Sequence, residues 1–135
     1  MKNRRGFTRS RGATLVEFTV ATTVFFILIF GTLEFGRAVY QYNVIAHAGK
    51  AAVRYAAVRG NSSGQTPATD SAVSAYIQTQ LYGISAVDSV SWNPSDKKPG
   101  AVVQVILRGS YSPRIPFFSS RTLTLRSVSQ MVVVR

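Results

Sequence analysis

Apolar positions run almost unbroken from Ala13 to Leu33, interrupted only by Glu17, Gly31 and scattered threonines. As a helix rising 1.5 Å per residue, residues 13–33 span about 31 Å, enough for one bilayer crossing. The pattern then changes. From Glu34 to Arg59 no proline occurs, and Arg37, Gln41, His47, Lys50 and Arg54 recur at mostly helical intervals as a polar stripe, with Tyr40, Val44, Ala48, Ala51 or Ala52, and Tyr55 opposite. These two patterns predict one helix over 13–59, roughly 70 Å long, whose first half crosses a membrane and whose second half packs on a soluble domain. The small residues Ala46, Ala48, Gly49, Ala51, Ala52, Ala56 and Ala57 would let a sheet or helix approach closely. Alanine is also simply a good helix former, and the spacing alone does not separate the two explanations.

Gly60-Asn61-Ser62-Ser63-Gly64-Gln65-Thr66-Pro67 reads as a solvated loop. Asp70 or Ser71 can cap a second, short helix through about Tyr82, with Val73, Tyr76, Ile77 and Leu81 on one face and Gly83 as terminator. Ile84–Trp92, Ala101–Tyr111 and Arg121–Val134 are rich in β-branched residues with partial alternation, which predicts three strands. Sequential strands usually neighbour one another, so an antiparallel meander is the simplest topology. The predicted fold class is α+β: a long N-terminal helix packed by its second half on a small antiparallel sheet of about three strands. The predicted organisation is a basic leader (1–12), a transmembrane segment (13–33), a continuation of the helix (34–59) and an exported α+β domain (60–135). In the second connection, Pro113-Arg114-Ile115-Pro116-Phe117-Phe118 carries adjacent phenylalanines that cannot share one face of a strand. A loop folded over the sheet edge accounts for them, and a partner or membrane contact is the alternative.

Charge orients the crossing. Sixteen Lys and Arg against five Asp and Glu give a net charge of +11. Five of the basic residues, Lys2, Arg4, Arg5, Arg9 and Arg11, precede the apolar run, whereas only Arg37 and Lys50 follow it closely. The N-terminus is therefore expected to stay cytoplasmic, and the C-terminal domain to be exported. The remaining excess is dispersed, and no RNP, helix-turn-helix or zinc-finger pattern points to nucleic-acid readout. The absence of cysteine excludes disulfides, thiolate metal sites and a thiol nucleophile. His47 is the sole histidine and has no triad spacing around it; Gly49-Lys50-Ala51 lacks the rest of a P-loop; Asp70, Asp88 and Asp96 fall in separate segments. No enzymatic activity, cofactor or metal is expected.

Glu17 is the residue that this outline leaves unexplained. A charge in the hydrocarbon core costs roughly 2.5–3.5 kcal/mol on insertion scales, so an acid there is read first as functional. The competing explanation is a helix-start carboxylate near the membrane surface, favoured by the macrodipole. An ordinary signal peptide has a shorter apolar core and a small-x-small cleavage site. Asn3-Arg4-Arg5-Gly6-Phe7-Thr8-Arg9 resembles a twin-arginine signal, but no suitable cleavage site follows.

A basic leader ending in Gly12, a helix beginning at Ala13 and Glu17 at the fifth position after the glycine resemble the processing site of type IV prepilins and pseudopilins. Gly6-Phe7 is a poorer candidate, since Arg11 takes the place of the acid. With Val16-Glu17-Phe18, Phe30-Gly31 and Glu34-Phe35-Gly36-Arg37 in this order, through Ala51-Ala52-Val53-Arg54-Tyr55-Ala56-Ala57, the chain resembles the TadE-like family, pseudopilins of tight-adherence (Flp-type) pilus systems, over about residues 11–57. The resemblance implies a reduced pilin-like fold, cleavage between Gly12 and Ala13 by a prepilin peptidase, and an assembly and register role for Glu17 and Phe18. It also implies residence in the bacterial inner membrane, with other pilin-like subunits, the assembly platform and the lipid bilayer as partners. Many relatives carry a proline where Thr23 stands, so a straighter helix is expected here. A membrane-anchored binding module for a polyanion or surface polymer is the alternative function.

Overall fold

The computed structural model describes residues 8–61, 64, 66–114 and 121–134, with side chains from Gly12 onward. Along the chain follow α1 (Thr8–Val58), α2 (Asp70–Gln80), β1 (Ala86–Asn93), β2 (Val102–Tyr111) and β3 (Leu123–Val132). The three strands form one antiparallel sheet in the order β1-β2-β3, with Val105 of β2 opposite Val90 on one side and Ser129 on the other. The α+β class and the meander agree with the sequence reading.

Alternation along β2 buries Val103, Val105, Leu107, Gly109 and Tyr111 on one face. The second half of α1 lies across that face, contributing Ile45, Ala48, Ala52, Val53 and Ala56, and α2 adds Val73 and Ile77. Two glycines set the approach of helix to sheet. A Cβ on Gly49 would meet Ser129 Oγ at 3.0 Å, and one on Gly109 would collide with Ile45 Cδ1. Ile45 thus occupies the space a side chain at 109 would fill, and the helix sits close because position 49 has none. The carbonyl of Ala57, left without an intrahelical partner at the end of α1, accepts from Val134 N at 3.1 Å. Val134, two residues after β3, therefore ties that strand to the helix end.

Several boundaries and one face differ from expectation. Helix α1 begins at Thr8 instead of Ala13 and reaches about 76 Å over its 51 residues. Residues 8–12 contain no proline, and extending an existing helix adds a hydrogen bond without a new nucleation cost, which offsets the low propensity of Gly12. The cap of α2 is Thr69, not Asp70 or Ser71: its backbone is extended and its Oγ1 accepts from Ala72 N at 3.2 Å. Asp70 falls instead in the first turn, where the macrodipole favours a carboxylate. The packed face of α1 is rotated from the predicted one. Ala48 and Ala52 are buried as predicted, but Tyr40 is exposed, Val44 and Ala51 are only half-buried, and Ile45 and Gly49 join the packed face. Close packing selects small side chains there, and Tyr55 turns to stack on Tyr76 of α2 at 4.5 Å between ring centroids.

Candidate functional site

In the first half of α1 the large apolar side chains described are exposed, and none joins the core of the sheet domain. The helix qualifies by length and composition as a single membrane span, and none of its most apolar window is buried. Leu15, Phe18, Leu28 and Leu33 are all at least 60% exposed, and apolar side chains project all round the helix. Such a helix is stable in an apolar surrounding, not with a water-facing stripe. Its hydroxyls are accommodated: Thr19, Thr23 and Thr32 each donate to the carbonyl four residues earlier at 2.8 Å. That back-bonding removes unsatisfied donors from an apolar environment. Phe26 stacks on Phe30 and meets Phe25 edge-on, giving the middle of the span a rigid aromatic ridge.

Gly12 and Ala13 both lie within α1, and a side chain at Gly12 would meet nothing. Glu17 stands one turn beyond Ala13, on the same face, because residues four apart align on a helix. It is exposed and takes part in none of the ion pairs among the described residues, which join Arg37–Glu34, Lys97–Asp70 and Lys98–Asp96. Phe18 points into open space beside it.

At the other end of the span the chain is engaged. Glu34 and Arg37, three residues apart on the helix, form an ion pair at 2.6 Å. Tyr111, the last residue of β2, brings its hydroxyl to the Glu34 carboxylate and to the Glu34 carbonyl, the latter at 2.9 Å. One proton serves the two acceptors in turn. One turn beyond Arg37, Gln41 Nε2 donates to the carbonyl of Ser110 at 3.1 Å. The bond from Tyr111 lowers the Glu34 carboxyl from its ordinary value; desolvation opposes this and Arg37 reinforces it. Burial, followed by the bond to Glu34, raises the Tyr111 phenol. This latch holds the end of β2 against α1 where the apolar span stops. Of the four-residue motif, Phe35 is exposed and Gly36 has open space around it.

Sequence reasoning missed Tyr111 as the partner of Glu34. The parity of β2 places 111 on the helix-facing side with 103, 105 and 107, but only the folded register shows which helix turn it meets. Residues 115–118 of the Pro113–Phe118 stretch, and all of the leader before Thr8, lie outside the described residues. Asp70 bonds the Trp92 indole at 2.8 Å and Asp88 accepts from Ser74, so two of the dispersed acids act within the fold. Among the described residues, no group of three or more His, Cys, Asp or Glu is placed to hold a metal.

Comparison with family models decides how the free half and its flank are classified: the model described as TadE-like protein matches residues 12–54. That segment is TadE-like. The match begins at Gly12 and takes in Glu17, the apolar span, Glu34 to Arg37 and the sheet-packed turns through Arg54. The α2–β1–β2–β3 part lies beyond the TadE-like segment. No curated protein and no solved structure matches the chain.

Proposed function

We propose that this protein is a membrane-anchored, pilin-like subunit acting in the assembly of a tight-adherence-type pilus, and that its work is assembly, not chemistry. The observation that carries the reading is Glu17, a lone exposed carboxylate at the fifth position beyond Gly12, inside an apolar TadE-like helix. In the proposed mechanism a prepilin peptidase cuts between Gly12 and Ala13. Glycine there assists, because the helix must open locally for the bond to enter a protease cleft. The basic leader is lost and the ammonium of Ala13 is created. Glu17 then pairs with such an ammonium as apolar helices bundle, offsetting the desolvation of both charges and fixing the axial register of neighbouring subunits. Phe18 and the aromatic ridge supply packing surface between helices. The N-terminus faces the cytoplasm, following the basic excess before the span, and the sheet domain is exported. The latch from Tyr111 to Glu34 sets the height of that domain above the bilayer.

Glu17→Ala tests the register role. Cleavage should continue, whereas the number of pili per cell should fall sharply; pili at the unmodified level would remove the ion pair from the mechanism.

A further inference from the structure

The chain has five acids, and none of them lines the groove between α1 and α2. Glu34 is bound by Arg37 and Tyr111, Asp70 by Trp92 and Lys97, Asp88 by Ser74 and Asp96 by Lys98, while Glu17 stands at the far end of α1. Lys50, Arg54 and Arg59 line this groove, whose volume is about 580 Å³. Lys50 and Arg54 are exposed and stand four residues apart, a spacing at which like charges repel on a helix surface. The third cation is held in place. Arg59 lies 4.3 Å over the Tyr55 ring and donates to the Tyr55 hydroxyl at 2.5 Å, while Tyr55 is stacked on Tyr76 at 4.5 Å. Much of the rotamer freedom that the guanidinium would lose on binding an anion has therefore already been lost in folding.

We propose that this groove binds a carboxylate-rich segment of a partner polypeptide. From Lys50 to Arg59 the cations extend about 13 Å along the helix, the length of roughly four extended residues. Planar guanidinium groups match carboxylates in two-point geometry. Base stacking is poorly served, because the Tyr55 ring is already stacked on Tyr76 and carries Arg59 over it. Lipid headgroups are out of reach on the membrane reading given above: Lys50 stands about 25 Å along the helix beyond Leu33, more than two screening lengths at physiological salt. The groove requires neither cleavage at Gly12 nor pairing by Glu17, so its test is independent of both.

The test uses the full chain in phosphatidylcholine nanodiscs, with fluorescein-labelled hexaglutamate followed by anisotropy. Saturable binding is expected, weakened roughly ten-fold or more by K50Q/R54Q. R108Q/R126Q removes the same charge from exposed positions on the opposite sheet face and should change binding less than about two-fold. Unchanged unfolding by Trp92 fluorescence establishes that each variant is folded. Absence of saturable binding, equal loss in the two double variants, or tighter binding of a six-nucleotide oligothymidylate would overturn the proposal. So would recruitment by phosphatidylglycerol in the nanodisc that K50Q/R54Q abolishes.

Discussion

The two halves of α1 are both apolar, yet they have opposite surroundings. Between Leu15 and Leu33 the large side chains project outward on every side, whereas from Ile45 to Ala57 the buried positions are mostly alanine and glycine on a single stripe. Both the polar stripe that begins at Glu34 and the size of the buried side chains separate the halves. Small residues let a sheet lie against the helix, and the polar residues on the reverse face meet water. Twelve large apolar residues of the first half are exposed. At about 1.5–3 kcal/mol for each side chain that could be buried, leaving them in water forgoes on the order of 20 kcal/mol. The penalty of roughly 2.5–3.5 kcal/mol for Glu17 is far smaller, so the carboxylate does not keep the segment out of a bilayer. What it requires is a partner.

The sharpest contrast comes from equivalent truncations in the two halves. Ile45→Ala empties the space above Gly109 and should lower the stability of the folded domain by about 2–5 kcal/mol. Leu28→Ala, in the free half, should leave it unchanged, since Leu28 is 64% exposed and touches no core residue. Both are read by denaturant unfolding in detergent, using the single tryptophan, Trp92. Equal effects would break the division. Ala52→Leu should cost about 1–3 kcal/mol by overpacking, whereas Ala21→Leu on the exposed half should be tolerated.

The latch at the junction gives a smaller, pH-dependent effect. The Glu34 carboxyl is lowered in the folded chain, so its contribution is present above the unfolded value of about 4.3 and is lost as pH falls through the folded one. The Tyr111 phenol is raised, so its contribution is present below about 10 and is lost as pH rises through its folded value. Glu34→Gln should flatten the acid limb of a pH–stability curve, and Tyr111→Phe should reduce both limbs. An acid limb unaltered by Glu34→Gln would show that the latch does not couple the halves.

The elements themselves were legible in the sequence. Uninterrupted hydropathy marked the span, β-branched alternation marked the strands, and Gly12, Glu17 and the Glu34–Arg37 motif carried the family resemblance. Contacts that depend on distant residues were not legible. Tyr40 and Val44 were expected to face the sheet because they are apolar, but Tyr40 is exposed, Val44 is half-buried, and it is Ile45 that packs above Gly109. Thr69 outcompeted Asp70 as a cap through a backbone conformation that composition does not reveal. The pairing of Glu34 with Tyr111 joins residues 77 positions apart, and the Arg59–Tyr55–Tyr76 stack joins two helices. Local periodicity finds faces, while register and packing decide partners.

Cleavage is the step on which the role of Glu17 rests, because the proposed ammonium does not exist until the leader is removed. Intact-mass measurement of the membrane-extracted chain, coexpressed with its prepilin peptidase and beside a prepilin known to be cut, tests that step most directly. The predicted product lacks residues 1–12 and begins at Ala13. A chain that keeps its leader while the control prepilin is processed would contradict the account.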